Sequence, residues 1–460
     1  MLVAWSTRDD RERMTSRQRI TLIVLLSAGF TLAVDFSILN VALPAIGADV
    51  GFSAGALQWV ATAFALCAAG FTLLFGRIAD LFGRRRLFLV GMVLLGIGSL
   101  VGGVATVPWL LLVARVAQGL ATAAVTPAAL SLLTTSFPEG ALRDKALGLN
   151  GALMAAGFTT GAILGGVLTD LLSWRWAFFV NVPVAVAVLL VAPAVLVESR
   201  PAERPRLDVP GAITVTLGLL AIVYGLTTSP YALIAGAVLL GAFWIIENRV
   251  AAPLVPVSIV RKRDVRWGNV AGLLAFMTET SLVFVLTVYL QGQLGYTPLG
   301  AGLSFAVLGV GTVLGGIVAP KILARLGNKR TVVAGFAVQA AATLPLVLIG
   351  HGGLALLLPA TFVGGVANLV AIVGFMVTAT SGLPDGEQGL ATGLATMSQQ
   401  VGITVGIPVM SAVMTGGVTT AIYVNAALCA ATAVLVAVKL SRGPVRSRPV
   451  PQASLAPSAR

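Results

Sequence analysis

The chain is poor in charged residues and in the side chains that bind metals. Of its 460 residues, 10% are charged, two are cysteine and one is histidine. Soluble domains have about 25% charged residues, and cysteine-rich secreted scaffolds need several disulfides. The composition therefore excludes a soluble domain, a disulfide framework and a Cys/His metal cluster. The sequence also lacks the Gly-x-x-x-x-Gly-Lys pattern of a nucleotide-binding loop, so neither an enzyme nor an ATP-driven pump is expected.

Apolar residues and glycine make up most of the chain. Hydrophobic residues account for 57% of the sequence, which also contains 52 glycines. A helix needs about 20 apolar residues to cross a bilayer. The sequence therefore predicts an all-α polytopic membrane protein with fourteen transmembrane helices. The predicted spans are 20–46, 56–75, 87–104, 107–133, 146–171, 176–197, 209–227, 231–246, 267–290, 300–323, 331–349, 354–380, 389–414 and 419–440.

The distribution of positive charge tests this count. If the N-terminus lies inside and the spans alternate, all but two of the 30 Lys and Arg residues fall in inside segments, as the positive-inside rule requires. The exceptions are Arg115, within a span, and Arg175, in an outside turn; the inside turn at 383–387 is acidic and departs from the rule. The net charge of +13 is expected to orient the chain and to contact membrane lipid rather than nucleic acid.

One motif occurs twice. The stretch 76–86 reads GRIADLFGRRR, and 320–330 reads PKILARLGNKR, with Ala324 in the place of Asp80. Each copy follows the second span of a group of six, which predicts two six-helix bundles with two extra helices between them. The predicted units are a cytoplasmic tail (1–19), a first bundle (20–197), a linker (198–208), the extra helices (209–246), a cytoplasmic loop (247–266), a second bundle (267–440) and a disordered cytoplasmic tail (441–460).

Three ionisable residues lie within predicted spans, where each costs at least about 2.5 kcal/mol. Asp35 is roughly 22 Å from the inner edge and Arg115 roughly 12 Å from the outer edge, at about 1.5 Å per residue. In a hydrocarbon core about 30 Å thick these depths nearly coincide, so the two side chains are predicted to be able to pair or to exchange partners. A purely structural ion pair is the alternative.

Glu279 is the third such residue, roughly 18 Å from the inner edge and near the midplane. No basic residue is predicted at a comparable depth in the second bundle. An unpaired carboxyl at this depth is expected to be protonated part of the time, as a proton-coupling group must be. The alternative is a permanently protonated glutamate that forms a hydrogen bond between helices.

Polar and aromatic residues on the same spans are candidates for lining a substrate cavity. For each of them, hydrogen bonding or packing between helices is the alternative. The candidates are Asn40, Gln118, Asn150, Phe276, Asn368 and Gln399.

Several stretches resemble the 14-helix drug/proton antiporter family of the major facilitator superfamily. The motif at 76–86 resembles the loop between helices 2 and 3 of that superfamily. The sequences AVDFSILNVALP (33–44), ARVAQG (114–119) and GFTTGAILGG (157–166) resemble the family's motifs in helices 1, 4 and 5. Further similar stretches lie at 174–183 and 289–298. The chain departs from the family at Ala162, where a proline is usual, so the bend in helix 5 is expected to be weaker.

The resemblance implies a secondary transporter that exports a hydrophobic or cationic small molecule, such as an antibiotic, in exchange for protons. It links Asp35 to substrate or proton handling and Arg115 to proton transfer, with Glu279 added from the argument above. It implies no cofactor, a monomer, and a bacterial inner (plasma) membrane with both termini in the cytoplasm. The residues implied in conformational gating are Gly76, Asp80, Gly83, Arg84, Gly157, Gly161 and Gly165.

Two alternatives stay open at this point. One is a metabolite exporter or an ion-coupled uptake symporter, with sodium as well as protons as the coupling ion. The other is a non-transporting receptor or lipid-handling scaffold, which has no need of a carboxyl at the midplane.

Overall fold

The computed structural model describes residues 14–137, 141–199, 208–227, 229–250, 253–254, 257–380 and 385–440. Within these ranges all regular secondary structure is helical. Most of the predicted N-terminal tail, most of the linker at 198–208, part of the turn at 383–387 and the predicted tail at 441–460 lie outside the described residues.

The first half contains six helices, α1 to α6. Thr15 and Gln18 form a capping box at the start of α1, and Gly51 ends the helix in the left-handed conformation (φ 83°). The helices are α1 Ser16–Val50, α2 Trp59–Phe82, α3 Arg84–Gly103, α4 Pro108–Ser136, α5 Ala141–Leu171 and α6 Trp176–Val195.

Two further helices precede the second half, which again has six. The extra helices are α7 Val209–Thr227 and α8 Tyr231–Glu247. In the second half, α10 and α11 form the stretch Pro298–Thr343, which is broken at Gly327 (φ 76°) into 298–326 and 328–343. The remaining helices are α9 Arg263–Gly292, α12 Gly353–Thr380, α13 Asp385–Met414 and α14 Val418–Lys439.

Fourteen long helices are present in the described part of the chain, as the hydropathy predicted, besides short helical turns at Ala54–Leu57, Val257–Val260 and Leu344–Leu348. Ten stretches are long and apolar enough to cross a membrane, and one of them, Pro298–Leu348, contains both α10 and α11. The bent helix Trp59–Phe82 and the shorter apolar segments Ala156–Leu171 and Tyr231–Glu247 complete the set.

The internal repeat is visible in the backbone. Gly83 is the single residue between α2 and α3, with φ 113°, and Gly327 breaks α10 from α11 with φ 76°. Positive φ favours glycine because it has no Cβ. Both glycines occupy the same place in the repeated motif. The packing repeats as well: α1 packs along α5 in the first half, and α9 packs along α13 in the second.

The two halves meet along α5 and α10 and along α2 and α13. We call the end of the molecule that carries Arg84–Arg86 the basic face, and the end that carries Asp49 the opposite face. Gln291 Nε2 donates to the Val41 carbonyl at 2.8 Å and joins the halves near the opposite face.

The extra helices lie over the seam between α2 and α13. Thr216 Oγ1 in α7 donates to the Gly70 carbonyl of α2 at 2.7 Å. One apolar cluster includes Leu66 of α2, Val215 of α7 and Leu394 of α13. The extra pair therefore contacts both halves.

Candidate functional site

Asp35 lies at the centre of a buried polar network in the first half. Its Oδ2 accepts from Arg115 Nη1 at 3.3 Å, and its Oδ1 accepts from Gln118 Nε2 at 2.8 Å and from Asn181 Nδ2. Ser99 Oγ accepts from Gln118 at 3.0 Å and from Asn181 at 3.3 Å. The network joins α1, α3, α4 and α6, and it brings together the two charged residues that the depth argument matched.

Arg115 is held on its other side by α2. Its Nε donates to the Val60 carbonyl at 2.9 Å, and its guanidinium lies over the Phe64 ring, 4.3 Å from the centroid. The side chains of Asp35 and Arg115 are 0% and 1% exposed. Each charge is therefore compensated and sealed from water, and proton exchange at Asp35 requires the helices to rearrange.

Glu279 faces a cavity inside the second half. The cavity has a volume of about 20 Å³, which is room for about one water molecule. Among the described residues Glu279 has neither a hydrogen-bond partner nor an ion-pair partner. The lining residues come from α9 to α12 and from the turn before α12: Glu279, Leu282, Leu308, Gln339, Thr343, Leu346, Ala360, Thr361, Gly364, Gly365 and Asn368.

Two amide side chains, Gln339 and Asn368, line this cavity in the second half, and Asn425 extends their hydrogen-bond cluster. Asn368 Nδ2 donates to the Ala275 carbonyl at 3.2 Å and to Gln339 Oε1 at 3.4 Å, and Gln339 Nε2 donates to Thr278 Oγ1 at 3.4 Å. Asn425 Nδ2 of α14 donates to the Thr278 carbonyl at 2.9 Å. This cluster lies on the helices that correspond to those of the Asp35 network.

The sequence argument did not select four of these polar residues: Ser99, Asn181, Gln339 and Asn425. Each stands between apolar or glycine neighbours in its span, and each is at most 3% exposed. A polar side chain between apolar neighbours in a span is a sequence signal that could have identified them. A buried amide or hydroxyl needs a hydrogen-bond partner, so such a residue is expected to join a polar cluster.

The predicted gate residues Asp80 and Arg84 pair with each other. Arg84 Nη2 donates to Asp80 Oδ1 at 3.0 Å, and Arg84 Nη1 contacts Ser199 Oγ at 3.3 Å. Neither contact reaches the second half. The nearby Arg77 contacts the segment that leads to the second half. Its Nη2 donates to the Pro253 carbonyl at 2.7 Å.

The glycine row of α5 permits very close helix packing. A Cβ added at Gly157, Gly161 or Gly165 would lie 2.9, 2.7 or 2.1 Å from a carbonyl oxygen of α1. At Gly166 it would lie 2.6 Å from the first carbonyl of α10. The Ala162 carbonyl in turn lies directly against Gly302 of α10. The row therefore seals α5 against α1 and α10 toward the opposite face.

The other predicted residues lie outside the two polar clusters. Asn40 is buried on α1, Asn150 lies beside α1, and Gln399 is half-buried on α13. Phe276 packs edge-on against a ring of α12 at 6.3 Å, and Gly76 lies against α4. Their roles stay predictions.

Sequence comparison gives the family. The profile of the Major Facilitator Superfamily matches residues 25–407 and 269–459. The chain belongs to the major facilitator superfamily. It is a multi-pass membrane transporter rather than an enzyme, as the sequence predicted.

Relatives and solved structures agree with this assignment. The chain is 36% identical to the cephamycin export protein CmcT of Amycolatopsis lactamdurans, over 87% of this chain and 86% of that protein. It is 38% identical to the puromycin resistance protein pur8 of Streptomyces alboniger, over 83% and 78%. In fold it resembles the human organic anion transporter MFSD10, with a TM-score of 0.65 at 17% identity over 91% of this chain and 99% of that one.

Proposed function

We propose that this transporter exports an antibiotic-like hydrophobic or cationic small molecule in exchange for protons. The observation that carries the proton-coupling proposal is Glu279, a carboxyl in the interior of a helical bundle with no basic partner among the described residues. The names of the relatives, which include a cephamycin exporter and a puromycin resistance protein, support the substrate class and the direction of transport.

Alternating access is the proposed mechanism. In the present structure the halves are joined toward the opposite face, by the glycine contacts of α5 and α10 and by the hydrogen bond from Gln291 to Val41. These contacts must separate for a passage between the halves to open at that face. Arg77 and the Asp80–Arg84 pair lie at the other end, where the proposed gate forms in the alternate state.

Glu279 is proposed to carry the coupling proton. While the transporter changes from one open state to the other, a carboxyl in its low-dielectric interior is most stable in the neutral form. It releases its proton when water reaches it. Asp35 and Arg115 are proposed as a second relay, because their mutual pairing can be exchanged for a proton or a cationic substrate. The buried amides Gln118 and Asn181 would hold the Asp35 carboxylate during that exchange.

The concentration of Lys and Arg at the basic face supports a cytoplasmic position for that face and for both termini. The proposed location is the bacterial inner membrane. The proposed working form is a monomer in contact with lipid.

Inverted membrane vesicles test the function. An imposed pH gradient is followed with a pH-sensitive dye while lipophilic cations and antibiotics are added. Compounds that dissipate the gradient in wild type should fail to do so with Glu279→Gln. Asp170→Asn is the control, because it removes an exposed carboxylate at the far end of α5. If no compound moves protons in wild-type vesicles, the proposal is wrong.

A further inference from the structure

Two cations share one indole ring at the basic face, where α9 begins beside the end of α14. Arg266 Cζ lies 5.1 Å from the centroid of the Trp267 ring, and Lys439 Nζ lies 5.6 Å from it. The Trp267 side chain is half-buried, whereas Arg266 and Lys439 are exposed. Because an indole face attracts cations, the ring holds two positive charges at a defined position on the surface.

The three side chains carry hydrogen-bond donors that have no acceptor in the described part of the chain. The Arg266 guanidinium, the Lys439 ammonium and the Trp267 indole N–H form no hydrogen bond or ion pair with any described residue. This includes Asp264, the acidic residue in the same turn of α9. Since all three groups are donors only, they match a ligand that has anionic oxygen atoms.

The neighbouring cations are already held by the protein. Arg263 donates to the Val438 carbonyl at 3.2 Å and also to the Lys439 carbonyl, and Lys329 Nζ donates to the Leu440 carbonyl at 3.0 Å. Carbonyl groups at the end of a helix attract positive charge. Arg263 and Lys329 therefore cap α14, unlike the two cations on the indole ring.

The opposite face has a similar arrangement that contains its own anion. Arg175 Cζ lies 4.4 Å from the centroid of a Trp174 ring. Asp49 Oδ2 accepts from the Trp174 indole N–H at 2.9 Å and from Arg175 Nη1. One carboxylate thus receives both donors there, and the stack at the basic face has no such carboxylate among the described residues.

The cluster at Trp267 lies at the level of the lipid headgroups. Trp267 opens the apolar span of α9, and tryptophan is enriched where transmembrane helices meet the membrane interface. Along α14, Val438 and Val434 are 62% and 63% exposed. They are four residues apart and so lie on one side of the helix. A ligand here meets cations at one end and an apolar surface along its length.

We propose that Arg266, Lys439 and Trp267 bind the phosphate group of an anionic phospholipid, whose acyl chain lies along Val438 and Val434. Anionic headgroups are attracted by basic residues at the membrane surface. A zwitterionic lipid carries a cation of its own beside the phosphate, so the site should prefer phosphatidylglycerol to phosphatidylcholine. This inference does not depend on the exported compound or on the coupling ion.

Fluorescence quenching of the purified full-length protein in nanodiscs tests the site. Phosphatidylglycerol with brominated acyl chains replaces phosphatidylcholine in steps, and a second series uses brominated phosphatidylcholine. Bromine quenches a tryptophan that it contacts, and comparison with Trp267→Phe in each background gives the share of Trp267. The test variant combines Arg266→Gln with Lys439→Gln. The matched control combines Lys321→Gln with Arg325→Gln, which removes two exposed cations of α10 near the same face.

Trp267 in wild type should be quenched at a lower fraction of phosphatidylglycerol than of phosphatidylcholine. Each single variant should reduce this preference about fivefold, because a cation near an anionic lipid contributes about 1 kcal/mol. The double variant should abolish the preference, while the matched control should keep it. Arg266→Lys retains the charge and should keep most of the preference, which tests the site with a conservative change.

The proposal is wrong if wild type shows no preference for phosphatidylglycerol, or if the double variant keeps the preference of wild type. It is also wrong if the matched control loses the preference to the same extent, because the effect would then belong to the basic face as a whole. Inorganic phosphate, added at constant ionic strength, separates a lipid site from a general anion site. If it displaces the brominated phosphatidylglycerol from Trp267, the assignment to a lipid is refuted.

Discussion

Replacing Asp35 by asparagine leaves Arg115 as an unpaired charge in the interior of the first half. Arg115 is 1% exposed, and a guanidinium does not lose its proton in proteins. Breaking a buried pair by removing one partner costs about 3–5 kcal/mol. Because asparagine keeps an acceptor oxygen for Gln118 or Asn181, we expect the loss in stability to come mainly from the unpaired charge.

Arg115→Met should cost less. The methionine fills much of the space of the arginine stem, and the Asp35 carboxyl that remains can take up a proton, which a guanidinium cannot release. We expect a loss of about 1–3 kcal/mol, which becomes smaller as the pH falls. The double variant removes both charges, so its loss should be smaller than the sum of the single losses by at least about 2 kcal/mol.

A double-mutant cycle checks this reasoning. The free energy of unfolding of the purified protein is measured by denaturant titration at several pH values for wild type, the two single variants and the double variant. Losses that add, or an Arg115→Met loss that does not change with pH, would show that the contact at 3.3 Å is not an ion pair in the folded protein.

Three further predictions concern the helix contacts. Gly165→Ala should abolish export and lower the thermal unfolding temperature, because the added Cβ would lie 2.1 Å from a carbonyl of α1, whereas Gly241→Ala has open space and should change neither. Gly83→Ala should lower the free energy of unfolding more than Gly327→Ala in denaturant titrations. Both residues have positive φ, which costs about 1–3 kcal/mol for alanine. At Gly83 the methyl group would also lie 2.5 Å from a carboxylate oxygen. Gln291→Leu should favour opening at the opposite face, and a cysteine introduced there should be labelled faster than in a chain that keeps Gln291.

The architecture could be predicted because its causes are local in the sequence. Each span is an apolar run, and the order of the positive charges fixes the number of crossings. The break between paired helices is also local, since Gly83 and Gly327 stand at the same place in a repeated motif and both have positive φ. Even the depth of Asp35 and Arg115 follows from a count of residues at a constant rise.

The direction of a side chain around its helix could not be predicted in the same way. Glu279 lies near the middle of α9, but the cavity it faces is lined by residues of its own half rather than lying between the halves. A rotation of one residue changes the facing direction by about 100°, while it changes the depth by only about 1.5 Å. For the same reason Asn181 and Gln339 escaped selection, since only their neighbours on other helices show that they complete the polar clusters.

The first half has a paired carboxylate, Asp35, and the second half has one, Glu279, that is unpaired among the described residues. This difference affects how one ion gradient can drive a transporter with two halves. If both halves carried a charged pair such as Asp35–Arg115, neither half would exchange a proton until its helices rearranged. If both carried an unpaired carboxyl, two ions would have to bind before the interior was neutral. With one paired half and one unpaired carboxyl, a single coupling proton on Glu279 completes the neutralisation of the interior. The coupling proposed for this transporter therefore predicts one ion for each cycle at Glu279, with the Asp35 relay exchanging a proton or a cationic substrate only when the helices rearrange.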